Sequence, residues 1–430
     1  MMNRLQRYSL IVGFISLFAF IISIVLRWDM IVSALAVASS ILLTFGIGSI
    51  RILKSYQYTG WIIVAIVCGL IYPSAFLKWG DIDLRNKWLI LIVIQLVMFG
   101  MGTQMSLKDF TGIKTMSKGV LVGIICQFSI MPLIGYILTR IFDFEPEIAA
   151  GIILIGSCSS GLASNVMVFL ARANLTLSVT LTAVATLLAP VMTPFLMKIL
   201  AGTYVEIKFM DMCIQIIKIV IVPIGAAMLN DAYTHGTSLI RKYINIIFYV
   251  SLAWIGLMLT GMWNLMESHL SNELMQVIEL INFLFGAVIV GKLYFHGMKL
   301  LPKVHQFMPK ISMFGIVYFT VVTTAASREN ILTIGIFMLL ASMLHNSLGY
   351  IFGYWISRGL GLDKESCKTV ALEVGLQNGG MATGLAGVMG KLATMGLASA
   401  IFSPWMNISG SVLANYWRKK KIKASAASTE

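Results

Sequence analysis

Long apolar runs recur from one end of the 430-residue chain to the other, separated by short polar segments. An apolar run of about 20 residues is long enough to cross a bilayer as a helix. The pattern therefore predicts an all-α polytopic membrane protein of about fourteen helices. We place the spans near residues 8–26, 30–50, 58–77, 88–107, 119–139, 148–171, 174–197, 212–230, 243–265, 276–298, 311–326, 331–357, 368–390 and 393–417.

Glu373 interrupts one of these apolar runs, within the segment 372–380 (LEVGLQNGG). A carboxylate inside a span is costly, and such residues mark ion or substrate pathways. The neighbouring glycines and amides predict a helix that breaks near the middle of the membrane. Broken backbone is tolerated at that depth only where it lines a cavity or a polar site. Because a carboxylate beside free carbonyls suits a small cation, we expect a secondary transporter.

The same three landmarks, a glycine, an asparagine and a proline, occur in both halves of the chain. They are Gly135, Asn165 and Pro190 in the first half, and Gly349, Asn378 and Pro404 in the second. The glycine-to-asparagine spacings are 30 and 29 residues, and the asparagine-to-proline spacings are 25 and 26. In our topology the first set lies in spans of opposite direction to the second, which predicts an inverted repeat. Paired glycine-interrupted spans are a sequence indicator of a transporter binding site.

Composition agrees with a membrane protein, because 58% of the residues are hydrophobic, 12% are charged and the mean hydropathy is +0.88. The net charge of +14 is explained by topology. With a cytoplasmic N-terminus, 21 Lys and Arg residues fall on the inner side and 9 on the outer side. This asymmetry follows the positive-inside rule. We therefore expect both termini in the cytoplasm, the lipid bilayer as surroundings and no nucleic-acid partner.

Other reactive residues give no enzymatic signal. The five cysteines are scattered without metal or disulfide spacing, so we interpret them as packing residues. Ser159 and Ser164 could be considered nucleophiles, but no histidine or lysine is placed to activate them, and we expect no enzyme activity. His345 and Asn346 lie within a span and are interpreted as interhelical hydrogen-bonding residues, with a proton relay as the alternative.

Several motifs together resemble the bile acid:sodium symporter family. They are the stretches 99–110 (FGMGTQMSLKDF), 127–132 (QFSIMP), 163–166 (ASNV), 177–190 (LSVTLTAVATLLAP) and 373–378 (EVGLQN). The resemblance runs over about 58–230 and 308–418. It implies two inverted five-helix repeats that form a panel and a core domain, with discontinuous helices that cross. It also implies sodium-coupled symport of an organic anion by alternating access.

The resemblance further implies two sodium sites that share Glu373. The first would use Ser164, Asn165, Ser178, Thr182 and Glu373, and the second would use Gln127, Glu373, Val374, Leu376 and Gln377. Their chemistry is suitable, since sodium is a hard cation that prefers oxygen ligands, by analogy with other hard cations. Ser178 and Thr182 are four residues apart and share one helix face.

The expected substrate-binding residues are Asn165, Asn378, Leu162 and Gly379. Where the family often has Pro-Gly-Gly-Thr, this chain has Ser-Ser-Gly-Leu at 159–162, and Leu162 cannot donate a hydrogen bond. Gly379 stands where the family often has serine. These departures leave bile acids, small carboxylates and sulfonates open as substrates.

The predicted organisation adds two hydrophobic hairpins to the ten-helix plan of the family. We expect the hairpins to flank the panel or to form an oligomeric or lipid-facing layer, with Glu279 and Lys292 extending to the membrane surface. The predicted segments are an extra hairpin at 1–55, panel helices at 56–110, core helices at 111–202, a panel helix at 203–235, an inserted hairpin at 236–307, a panel helix at 308–328, core helices at 329–418 and a cytoplasmic tail at 419–430.

The sequence as a whole predicts a sodium-coupled organic anion symporter of the inner or plasma membrane. Two alternatives stay open. One is a transporter that couples to protons through Glu373, and the other is a membrane sensor that binds its ligand without transport. Sodium-independent uptake driven by acid would favour the first, and ligand binding without flux would favour the second.

Overall fold

The computed structural model of the protein describes residues 2–50, 53–301 and 303–427, and these residues are almost entirely helical. The longer described helices are α1 (Met2–Val25), α2 (Asp29–Ile47), α3 (Gln57–Ile71), α4 (Lys87–Gly102), α5 (Ser117–Phe142), α6 (Pro146–Ser157), α7 (Leu162–Leu170), α8 (Leu175–Ala201), α9 (Phe209–His235), α10 (Ser238–His269), α11 (Asn272–Leu300), α12 (Val304–Ala326), α13 (Arg328–Gly359), α14 (Lys364–Gly375), α15 (Gly379–Val388) and α16 (Met395–Ala427). Short helical segments occupy Lys54–Tyr56, Pro73–Leu77, Leu107–Thr111 and Gly112–Thr115, and strands β1 (Lys78–Trp79) and β2 (Ile82–Asp83) form a small antiparallel hairpin.

The prediction of an all-α polytopic membrane protein is confirmed. In the described part of the chain, eight helices are long and apolar enough to span a membrane, and α4 with the bent segment after it gives a ninth candidate. Three further apolar helices are shorter, within α2, α3 and α6. If each of the broken pairs α6–α7 and α14–α15 counts as one span, these sixteen helices give fourteen segments, at the fourteen predicted positions.

The two broken spans cross each other at their breaks. Ser160 and Gln377 form an isolated antiparallel bridge between them. The Gly161 N–H donates to the Leu376 carbonyl at 3.2 Å, and the Asn378 N–H donates to the Ser159 carbonyl at 2.8 Å. Backbone groups released by the breaks therefore satisfy one another, as the absence of water in a bilayer core demands.

Local sequence explains where the second break lies. The Asn378 side chain accepts the N–H of Met381 at 2.9 Å and thereby caps the start of α15. A side chain at Gly375 would overlap the ring of Tyr350, so the end of α14 packs closely against α13. The Asn346 side chain donates to the Gly375 carbonyl at 2.8 Å and supports the break from α13. Asn346 thus makes the interhelical hydrogen bond that its sequence position predicted.

We call α3, α4, α9 and α12 the panel, and α5 to α8 with α13 to α16 the core. Within the panel, α12 packs against α3 and α4, and α9 packs against α4. The amino-terminal hairpin of α1 and α2 contacts α3, whereas α11 of the inserted hairpin contacts α9. Both extra hairpins therefore lie against panel helices.

The inserted hairpin departs from one expectation. Glu279 on α11 does not stand alone at a span end but pairs with Lys218 on α9, with 2.5 Å between Nζ and Oε2. The Lys218 side chain is only 2% exposed, and that of Glu279 is 36% exposed. Lys218 lies in a π-helical turn over Ile217–Ile221, and its carbonyl accepts a hydrogen bond from Gln95 on α4 at 3.2 Å. Lys292, the other expected surface residue, lies over the ring of Phe248 at 3.8 Å.

Candidate sodium and substrate site

Glu373 lies in the last turn of α14, beside the crossing of the two broken spans, and is 2% exposed. Its carboxylate accepts hydrogen bonds from three hydroxyls. Ser178 approaches Oε1 at 2.5 Å, and Ser160 and Thr182 approach Oε2 at 2.6 and 3.0 Å. Among the described residues, no lysine, arginine or histidine nitrogen forms an ion pair with it. A negative charge on this carboxylate would thus be hydrogen-bonded by the protein but not neutralised.

The residues expected at the first sodium site surround this carboxylate. The Oδ1 of Asn165 on α7 lies 2.7 Å from the Ser178 hydroxyl and 3.3 Å from the Thr182 hydroxyl, whose single protons are donated to Glu373. Ser178 and Thr182 are one turn apart on α8 and point the same way, as their spacing predicted. Ser164 is fully buried one position before Asn165, and its hydroxyl donates to the Gly161 carbonyl at 2.7 Å.

The residues expected at the second site form an adjoining cluster. Gln127 on α5 donates to the Cys158 carbonyl at 3.0 Å and to the Gln377 side chain at 2.9 Å. Gln377 in turn donates to the Val374 carbonyl at 2.6 Å. The Leu376 carbonyl already accepts the N–H of Gly161 across the crossing. Four of the five expected residues therefore form hydrogen bonds at or beside the crossing, namely Gln127, Val374, Leu376 and Gln377. The fifth, Glu373, makes its hydrogen bonds within the first cluster.

The chemistry of both clusters fits sodium. All their inward-facing acceptors are oxygens of hydroxyl, amide, carbonyl or carboxylate groups, which hard cations prefer. The buried Oε1 of Gln127 finds no hydrogen-bond partner among the described residues. An orphaned acceptor in a buried site is costly unless something satisfies it, and a cation would do so. Gln127 could therefore hold an ion in the second cluster, as Asn165, Ser178, Thr182 and Glu373 could in the first.

A cavity of about 570 Å³ lies between panel and core, directly beside these clusters. The four expected substrate-binding residues, Leu162, Asn165, Asn378 and Gly379, all line it. The panel contributes aromatic, hydroxyl and thioether side chains, and none of the described lining residues is charged. The Asn378 Nδ2 is buried and finds no partner within the described chain, so it is available to a ligand.

Gly379 has a steric explanation that its sequence position did not offer. A Cβ atom built at Gly379 would overlap the Ser403 hydroxyl on α16. The cavity wall thus carries its hydroxyl on α16 where the family often carries one at position 379. Ser403, Asn407 and Ser411 all line the cavity, and none of them was among the expected residues. Their spacing of four residues along α16 is the signal that could have identified this polar face.

Ser160 is the other residue that the sequence analysis missed. It was noted only as part of a departure from the family pattern, yet its hydroxyl makes one of the shortest contacts with Glu373.

His345 makes an interhelical hydrogen bond, which was the first of its two interpretations. Its Nε2 lies 2.8 Å from the Met131 carbonyl, and the ring packs against Phe402 on α16.

Comparisons with known proteins agree with the geometry. The profile of the Sodium Bile acid symporter family matches residues 91–267. The uncharacterized sodium-dependent transporter YocS of Bacillus subtilis (strain 168) is 32% identical over 372 residues, which cover 86% of this chain and 92% of that protein. The probable chloroplastic sodium/metabolite cotransporter BASS1 of Arabidopsis thaliana is 28% identical, over 84% of this chain and 73% of that protein. The ileal sodium/bile acid cotransporter of Homo sapiens is 27% identical, over 67% of this chain and 65% of that protein.

A solved structure gives the same fold. The sodium proton antiporter MjNhaP1 from Methanocaldococcus jannaschii matches with a TM-score of 0.50, over 91% of this chain and 99% of that chain. Because the two sequences are only 14% identical, the similarity concerns the fold alone.

Proposed function

The chain belongs to the sodium bile acid symporter family, and we propose that it is a secondary transporter that couples sodium entry to uptake of an organic anion. One observation carries the proposal. The buried Glu373 has hydroxyl and amide neighbours but no cationic partner in the described chain, and it lies beside a cavity between panel and core. An intramembrane carboxylate of this kind calls for a cation from outside the protein.

Two sodium ions sharing one carboxylate would leave the site with a net positive charge, which favours an anionic substrate. The helices α7 and α15 begin at the cavity wall, so their positive ends also favour an anion. The unpartnered Asn378 amide would donate to a carboxylate or sulfonate. The apolar remainder of the wall, Leu162 included, would contact the hydrocarbon part of the substrate.

Transport would proceed by alternating access. The cavity lies where panel and core meet, so a movement of the core against the panel would open it to one side and then to the other. The charge asymmetry of the loops supports a cytoplasmic position for both termini of this multi-pass protein, in the inner or plasma membrane. Sodium and substrate would travel together because both bind at the crossing of the broken spans.

Reconstituted vesicles test the proposal. An inward sodium gradient should drive uptake of at least one labelled anion from a panel of bile acids, small carboxylates and sulfonates, whereas an equal potassium gradient should not. Asn165→Ala should raise the sodium concentration needed for half-maximal uptake by about tenfold, because it removes one ligand. Uptake that follows a proton gradient and ignores sodium would assign proton coupling to Glu373. Binding of an anion without flux would assign a sensor.

A further inference from the structure

Ser160 lies in the break between α6 and α7 and is 1% exposed. Its hydroxyl donates to Glu373 Oε2 at 2.6 Å and lies 3.5 Å from the hydroxyl of Thr182. The family pattern described above often has glycine at this position, so this hydroxyl is an addition to the shared ligand set. Its presence in the most polar part of the core calls for a specific explanation.

The position of the hydroxyl is fixed by the backbone around it. Ser160 forms the antiparallel bridge with Gln377, and the neighbouring residues Ser159 and Gly161 exchange backbone hydrogen bonds with the other broken span. These backbone hydrogen bonds fix where the Cα–Cβ bond of Ser160 lies. The crossing therefore brings the hydroxyl within reach of Glu373, and the hydrogen bond to Oε2 holds it there.

The surroundings of the Ser160 hydroxyl suit a cation ligand. A serine hydroxyl that donates its proton to a carboxylate keeps its lone pairs for another partner. Neighbouring oxygens around a cation with bonds of about 2.4 Å are about 3.4 Å apart when they subtend a right angle. The Ser160 and Thr182 hydroxyls are separated by 3.5 Å, and the Thr182 hydroxyl and the Asn165 Oδ1 by 3.3 Å. These three oxygens are spaced as adjacent ligands of one ion.

We propose that Ser160 supplies an additional oxygen ligand to the first sodium site, beyond those that the family pattern assigns. The proposal rests on the proposed function, since it requires that sodium binds beside Glu373. The extra hydroxyl raises the affinity of this site for sodium. The simpler alternative is that Ser160 only satisfies the carboxylate while the ion is absent.

The adjacent residue provides a matched control. Ser159 is equally buried in the same break, but its hydroxyl lies 4.0 Å from the sulfur of Met381 and 3.5 Å from the hydroxyl of Thr186. Replacing Ser159 with alanine removes a buried hydroxyl from the same segment without removing a contact to Glu373. A general effect of altering the break would appear in both Ser159→Ala and Ser160→Ala. A specific effect on sodium binding would appear only in Ser160→Ala.

The experiment is a sodium titration of melting temperature, with potassium keeping the ionic strength constant, on the purified full-length protein. A ligand that binds only the folded state raises the melting temperature. Ser160→Ala and Ser160→Gly should each raise the half-saturating sodium concentration by about tenfold or more. Ser160→Thr, which keeps the hydroxyl, and Ser159→Ala should stay within about threefold of the wild type.

The outcomes separate the two proposals. If the Ser160 variants keep the wild-type half-saturation, Ser160 is not a ligand, whatever happens to the melting temperature without sodium. If Ser159→Ala shifts the half-saturation as much as Ser160→Ala, the effect belongs to the break as a whole and the ligand assignment fails. If sodium does not stabilise even the wild type, the proposed sodium coupling fails, and the ligand assignment fails with it.

Discussion

Two carboxylates in the apolar part of this protein are satisfied in different ways. Glu373 in the core accepts three hydroxyl hydrogen bonds and forms no ion pair within the described residues. Glu279, on the inserted hairpin, pairs directly with Lys218 of the panel. The first is completely buried, whereas the second is about one-third exposed.

Under the proposed function, the difference separates a site that would bind an external ion from a contact that needs none. The Lys218–Glu279 pair is neutral as a whole, and it joins the inserted hairpin to a panel helix. Such pairs add little stability compared with apolar residues in the same places. Removing one partner alone is costly, because it leaves an unpaired buried charge. The hydroxyls around Glu373 lower the cost of burying its charge without cancelling it. We therefore expect the response to sodium to depend on Glu373 and the stability of the hairpin contact to depend on Glu279.

The largest expected effect is on sodium binding. Glu373→Gln keeps the shape of the side chain but removes the charge that both sites share. We expect the sodium concentration that half-saturates the rise in melting temperature to increase about 100-fold, or the rise to vanish. Sodium-driven uptake should be lost. Glu279→Gln is the matched control and should keep the wild-type half-saturation. Normal sodium-driven uptake by Glu373→Gln would refute the assignment of both sodium sites.

The next largest effect is on stability, and here Glu279 is the residue that is tested. Glu279→Gln leaves the buried ammonium of Lys218 without its partner, and we expect a loss of about 3 kcal/mol, the low end for a buried pair because Glu279 is partly exposed. Replacing both residues, with Lys218→Met and Glu279→Leu, should restore most of the stability. Unfolding of Lys218→Met, of Glu279→Leu and of the double variant gives the coupling free energy. Additive losses would show that the two residues do not act as a pair.

This comparison also shows what the sequence could and could not predict. The helices, the two breaks and Glu373 were predictable because long apolar runs and glycine clusters are local signals. The partner of Glu279 was not predictable, because Lys218 lies 61 residues away in the sequence. Its burial depends on how α11 packs on α9, and no local pattern contains that information.

The same limit applies within the site. The expected ligands came together because the inverted repeat fixes where the breaks cross. The hydroxyl of Ser160 was missed because its direction is determined by the bridge to Gln377 in the other repeat. The reason for Gly379 was missed because the obstacle, Ser403, lies on another helix. Sequence patterns therefore predicted the elements of the site better than the contacts between them.

A smaller effect is expected at that glycine. Gly379→Ser restores the residue that the family often has, but its Cβ would overlap the Ser403 hydroxyl. We expect a loss of about 1–2 kcal/mol in unfolding free energy from this overpacking. Adding Ser403→Gly should remove the overlap and recover the loss, while the hydroxyl returns to position 379. The melting temperatures of the single and double variants measure this exchange, and failure of Ser403→Gly to rescue would exclude the overlap as the cause.

The smallest effect tests a third way to satisfy a carboxylate. Asp363 is exposed at the start of α14, outside the spans, and its Oδ1 accepts the N–H groups of Glu365 and Ser366 at 2.9 and 3.0 Å. Hydrogen bonds from the Ser366 side chain and from these N–H groups hold the pKa of Asp363 below its usual value. Asp363→Ala should cost about 1 kcal/mol through loss of the cap.

The pH dependence of that cost follows from the direction of the shift. Since the folded pKa lies below the unfolded value of about 3.9, the stabilisation is fully present at neutral pH and is lost as the pH falls through the folded pKa. The difference in melting temperature between wild type and Asp363→Ala should therefore be largest near neutral pH and shrink as the pH falls from about 4 through the folded pKa. A difference that persists unchanged in acid would mean that the charge of Asp363 does not stabilise α14. Sodium half-saturation should not change, because this carboxylate is satisfied by backbone N–H groups and lies ten residues before Glu373 in the chain.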